Sequence, residues 1–166
     1  AGVRIHICHV CAKEAVEVVR MVKGRGQMLT AETCPHYLTF THDEIKHHGP
    51  YAKINPPIRH QDDRNLLWEG IRNGVIDLVA SDHGPYPKKM KNIGLGNIWK
   101  AYMGAPGLDA IGPVMLTHVN NGLVSLKKLS EIMSENAAKV FSLYPRKGVL
   151  SVGSDADITV VDMNAR

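Results

Sequence analysis

Apolar and polar positions along the chain mark out strands and helices in alternation. Val3–His9 alternates apolar and polar side chains and reads as a short strand. Ala12–Lys23 places Ala15, Val16, Val18, Val19 and Val22 on one face, which predicts an amphipathic helix ended by Gly24 and Gly26. Gln27–Ala31 is the next strand candidate, and Pro35 resists a central-strand reading of Cys34–Leu38. Asp43–His48 predicts one or two helical turns. Lys53–Arg59 reads as loop, because Pro56-Pro57 removes two backbone donors in a row. Asp62–Asn73 predicts a helix with Leu66, Leu67 and Ile71 inward and Gly74 as its stop. Val75–Ser81 is a nearly continuous apolar run, as expected of a parallel strand buried on both faces.

A stretch rich in Gly, Pro and Lys then runs from Gly84 to about Pro106, and loops of that length usually serve a function. Leu108–Val119, Leu126–Ser134 and Asn136–Leu143 predict helices, and Val149–Val152 with Asp157–Asp162 predicts a terminal β element. Strand–helix–strand–helix–strand is the order of a parallel α/β fold. No G-x-G-x-x-G follows a strand, and Gly94-Leu95-Gly96 has no strand before it, so a dinucleotide fold is disfavoured.

Composition narrows the class. The 166 residues are 44% hydrophobic and 22% charged, enough for a sizeable core in a globular protein. Net charge is +4, but the basic residues are scattered and aromatics are only 5%, which argues against nucleic-acid binding. No apolar run reaches membrane-spanning length, and no secretory pattern is visible. Cys8, Cys11 and Cys34 are odd in number and lack framework spacing, which fits a reduced, cytoplasmic setting. Cys8 and Cys11 lie three apart, on opposite faces of a strand, so they do not form a metal-binding pair.

His9 and Asp82 carry the candidate chemistry, each ending a predicted strand. Metal-ligand residue types at the carboxyl ends of two parallel strands are how a (β/α) barrel builds a hydrolytic metal site. Taken alone, His9 is a core histidine. Asp82 alone is a helix cap, although Pro85 follows closely and no apolar helix begins there. His6, three residues before His9, falls on the opposite face by strand parity and reads as structural. His42, His47, His48, His60 and His118 read as surface residues, Trp68 and Trp99 as packing residues, and Asp155 and Asp157 as turn residues.

Six motifs occur in order: His9-Val10-Cys11, Glu32-Thr33-Cys34-Pro35-His36-Tyr37-Leu38, Asn55-Pro56-Pro57-Ile58-Arg59, Ala80-Ser81-Asp82-His83, Glu135-Asn136-Ala137-Ala138, and Lys147-Gly148-Val149 through Gly153-Ser154-Asp155-Ala156-Asp157. Together they resemble the carboxyl-terminal portion of the cyclic amidohydrolases, the allantoinase, hydantoinase/dihydropyrimidinase and dihydroorotase group of the amidohydrolase superfamily. The resemblance implies an α/β fold that is part of a metal-dependent-hydrolase TIM (β/α)8 barrel. Strands six to eight would lie in residues 1–145, and the tail strands of a small β-sandwich in 146–166.

It also implies two divalent metal ions, usually zinc, with His9 similar to the sixth-strand histidine ligand and Asp82 to the eighth-strand aspartate. The family's H-x-H, carboxylated lysine and fifth-strand histidine have no counterpart here, so an incomplete chain, inactive alone, is expected. Asp82 would be the general acid/base, and Asn55, His36, His83 and Gly104 would contact a small cyclic amide. Tyr86 stands where dihydroorotases typically have histidine. Pro87–Lys91 is more like allantoinase, whereas Asn55-Pro56-Pro57 leans toward dihydroorotase, and Cys11 stands where the family often has serine. The expected activity is hydrolysis of a ring C–N bond, allantoinase- or hydantoinase-like, with dihydroorotase as the alternative. A non-catalytic scaffold relative is the rival class, and the two intact ligands favour an enzyme. A homodimer or homotetramer is the family's expected assembly.

Overall fold

Three parallel strands, in the order β1-β2-β3, carry the site in the computed structural model, which describes residues 2–164. They are β1 (Ile5–Ile7), β2 (Leu29–Thr33) and β3 (Leu78–Val79). Ile5 pairs with Leu29, and Thr33 with Val79. All three are shorter than or shifted from the apolar runs that predicted them. β2 runs on to Thr33, so Glu32 belongs to the sheet.

Each crossover is helical, as parallel pairing requires. Helix α1 (Lys13–Gly24) joins β1 to β2. Helices α2 (Pro35–Thr39), α3 (His42–His48) and α4 (Gln61–Arg72) lie between β2 and β3. Pro35 occupies the first turn of α2, where its missing N–H costs nothing. Asp63 starts two helices at once: Oδ1 accepts from the Lys13 N–H (2.9 Å) and Oδ2 from the His60 N–H (3.0 Å). The long Gly/Pro/Lys stretch contains helix α5 (Lys88–Asn92) and a 3-10 turn at Ile98–Lys100. Then come α6 (Ile111–Asn120) and α7 (Leu126–Ser130), which passes through a π turn at Glu131–Glu135 into α8 (Asn136–Val140).

The core lies between the sheet and α1, α4, α6 and α7, around Val16, Val19, Ala31, Leu67, Ile71, Met115 and Ile132. Val18, expected inward on α1, is 53% exposed, because it sits two residues from Val16 and so nearly opposite it on the helix. Trp68 packs as expected and donates its indole N–H to Leu38 O (3.1 Å), whereas Trp99 is 85% exposed. The β element expected over 149–152 and 157–162 does not form. A strand needs a ladder partner, and no described segment pairs with this tail, which leaves Val152 and Val160 exposed. Asp155 and Asp157 instead meet Lys147, at 2.9 and 2.5 Å.

His118, expected at the surface, is buried on α6, edge-on to Trp68 and with Nε2 2.9 Å from Thr39 Oγ1. Burial, aided by the Arg64 charge, lowers its pKa. The folded chain therefore binds this proton less readily than the unfolded chain, whose imidazole titrates at about 6.5. That contribution to stability is complete above the unfolded pKa and is lost as the pH falls through the folded one. The Tm should thus drop further between pH 7.5 and pH 5 in the natural protein than in His118→Gln; equal drops would contradict this.

Candidate functional site

His9 lies two residues past the end of β1, and Asp82 three past the end of β3. Both have left-handed backbones, φ 58° and 46°, which are rare outside glycine and concentrate at functional sites. The first and third strands of a flat sheet lie roughly 9.5 Å apart. Here His9 Nε2 is 3.6 Å from Asp82 Oδ1. The two side chains therefore lean toward each other across the carboxyl end of β2.

Cys34, which follows β2, completes the cluster. His9, Cys34 and Asp82 each offer a ligand atom within 4.8 Å of the others. The Cys34 sulfur is 3.6 Å from His9 Nδ1. Burial pushes its thiol pKa well up, and the Asp82 and Glu32 carboxylates push it further, so without a cation beside it the thiol is protonated. His36, on α2, has Nε2 4.0 Å from Asp82 Oδ2. Burial lowers its pKa to about 4, against the pull of Asp82 and with a push from His9. That nitrogen is buried and has no hydrogen-bond partner, an uncommon and costly state.

These features fit a divalent cation. Two donors held about 2.1 Å from one tetrahedral ion sit roughly 3.4 Å apart, close to the His9–Asp82 separation. Imidazole and carboxylate are borderline-to-hard donors of the kind zinc accepts.

The other candidates form the rim. His83 is exposed, and its Nδ1 accepts from the Gly107 and Leu108 N–H groups, both at 3.1 Å, so it braces the 104–108 turn. Gly104 has φ 139° and donates its N–H to Lys53 O (3.1 Å). A Cβ there would lie 2.5 Å from Gly84 O, so only glycine fits. Asn55 is exposed in the loop that Lys53 begins. The structure thus brings His36 to Asp82 and ties Asn55, His83 and Gly104 into neighbouring loops. A cavity of about 210 Å³, walled by Phe40, Ile54, Ile58 and Ala105, opens beside His36.

Residues 3–165 match the family model described as "Amidohydrolase family". The chain belongs to the amidohydrolase family. An L-hydantoinase of Paenarthrobacter aurescens is 43% identical over 165 residues, covering 99% of this chain and 36% of that protein. An allantoinase of Escherichia coli O1:K1 is 40% identical over 166 residues, with the same coverage. The chain therefore spans little more than a third of these curated relatives. The solved L-hydantoinase (dihydropyrimidinase) of Arthrobacter aurescens superposes with a TM-score of 0.90 at 44% identity, over 94% of this chain and 35% of that one. The dihydropyrimidinase of Brevibacillus agri NCHU1002 gives 0.87 at 29% identity, over 93% of this chain and 35% of that one.

One side chain of this amidohydrolase was missed by sequence reasoning. Glu32, buried on β2, sits between two histidines: Oε2 is 3.1 Å from His6 Nε2 and Oε1 is 3.3 Å from His9 Nδ1. His6 was expected to point away from the surroundings of His9. Parity holds only along an extended backbone, and the left-handed turn at His9 swings that ring back toward the face His6 already occupies. An acidic residue predicted just past an apolar strand was the available signal.

Proposed function

We propose that this amidohydrolase hydrolyses a ring C–N bond of a cyclic amide or ureide, with allantoin- and hydantoin-like rings as its substrate class. The convergence of His9 and Asp82 from the ends of two non-adjacent parallel strands carries the reading. In it, β1–β3 are an arc of a TIM barrel, residues 1–145 belong to that barrel and 146–166 to a small β-sandwich. β1 and β3 are the edges of the three-stranded sheet, and barrel closure is what would pair them further. His9 and Asp82 hold part of a binuclear centre, most simply zinc. A carboxylated lysine and the remaining histidines would come from sequence outside this stretch. The assembly is a homodimer or homotetramer in a reduced cytoplasm.

When bound, such ions supply a Lewis acid and a nucleophile usable at neutral pH. Asp82 takes the proton released as water attacks the ring carbonyl and returns it to the departing ring nitrogen. His36, neutral and with a free Nε2 beside Asp82, orients that carboxylate or the substrate. Asn55, His83 and Gly104 hold the ring edge, and the apolar wall from Phe40 to Ala105 limits water.

The reading is tested on metal-loaded full-length protein with allantoin, 5-substituted hydantoins and dihydroorotate, following the ring-opened product. Turnover of allantoin or a hydantoin supports it. Turnover of dihydroorotate alone reassigns the substrate, and no turnover on any ring sinks the proposal.

A further inference from the structure

The β1–β2 pair holds a chain of polar side chains that the reaction does not use directly. The Thr30 hydroxyl lies 2.8 Å from His6 Nδ1. His6 Nε2 lies 3.1 Å from Glu32 Oε2. Glu32 Oε1 lies 3.3 Å from His9 Nδ1. Glu32 is only 7% exposed and no lysine or arginine among the described residues pairs with it, so its charge is met by the two imidazoles and by the Cys8 thiol beside it, a weak donor. A buried carboxylate without such donors is costly.

The proton order along the chain follows from the carboxylate. An ionised Glu32 only accepts, so the His6 proton that faces it sits on Nε2, which leaves Nδ1 to accept from the Thr30 hydroxyl, whose other acceptor, Ile5 O, is the more distant at 3.5 Å. Glu32 is acceptor-only when ionised, so its other oxygen takes the His9 proton on Nδ1. His9 Nε2 is then a lone pair, and it is the nitrogen that faces Asp82. Cys34 competes for His9 Nδ1 at 3.6 Å, but a thiol is a weak hydrogen-bond partner and a carboxylate a strong one.

We propose that Glu32, backed by His6 and Thr30, is a positioning residue that fixes the Nδ1–H tautomer and ring orientation of His9, so that Nε2 is presented to the metal centre. This rests on the reading of His9 as a metal ligand. A carboxylate behind a ligating histidine fixes the ring and raises its basicity, and losing such a partner typically costs about 10–100-fold in metal affinity.

Glu32→Gln tests it in the full-length protein, because an amide offers one acceptor oxygen where the two histidines need two. Zinc affinity is read by competition with a chromophoric chelator. The His9 tautomer is read by long-range ¹H–¹⁵N spectra of the metal-free, ¹⁵N-histidine-labelled protein. The expected result is zinc binding weakened about 10–100-fold, with His9 losing its Nδ1–H signature. Zinc affinity and tautomer both unchanged would overturn the proposal. So would the same losses on Cys34→Ala with none on Glu32→Gln, which would hand the role to the thiol. If Glu32→Gln does not fold, His6→Asn decides, with weakened zinc binding in support and unchanged binding against. His9→Ala separates the two readings: undiminished zinc binding there removes His9 as a ligand, whatever Glu32 does.

Discussion

Asp82→Asn is expected to abolish most turnover in the full-length protein while leaving most of its metal bound. Asparagine keeps the shape of the side chain and an oxygen that can face His9 Nε2, now 3.6 Å away. It also tolerates the left-handed backbone at this position, φ 46°. What it loses is the capacity to take up and return a proton. Removing a positioned acid/base group typically costs about 10²–10⁴ in rate. The kcat on the best substrate, measured beside metal content by elemental analysis, checks this. Turnover equal to the natural protein would rule out the proton-transfer role. Loss of metal in parallel with turnover would reduce Asp82 to a ligand.

Leu67→Ala should carry the largest stability loss outside the site, about 2–5 kcal/mol. Leu67 is fully buried on α4, within the core that Val16, Ile71 and Ile76 share. Gly70, one turn along, lets α4 approach closely: a Cβ there would lie 3.2 Å from Val16 Cγ1 and 3.1 Å from Ile76 Cγ1. Side chains this tightly seated cannot collapse into the space a leucine leaves, so cavity cost adds to lost transfer energy. The α1–α4 layer also backs the strands that lead into His9 and Asp82, so the loss should reach the site as weaker metal retention at elevated temperature. Urea unfolding at constant m-value measures the first effect. A loss under about 1 kcal/mol would show that the layer repacks.

The order of strands and helices was legible in the sequence because burial leaves a period in it. Leu67 and Ile71 are inward on α4 as the spacing predicts, and the apolar run ending in Ala80 does lead to a buried strand. His9 and Asp82 were legible because the polar residue ending an apolar strand has to be satisfied by something. A period records which face is buried and says nothing about what covers it. Hence His118, placed at the surface by its polarity, is enclosed by Trp68 and Thr39, and Trp99, placed inside by its size, is exposed.

Sequence by itself determined the parallel α/β order, the two strand-end candidates and the helix faces, since these depend on local periodicity and residue chemistry. Tertiary structure alone decided that Glu32 links His6 to His9, that His36 is left unpartnered beside Asp82, and that the described tail forms no strand. The physical reason is that a left-handed turn ends the rule of alternation, and a ladder or a buried carboxylate is defined by partners distant in sequence.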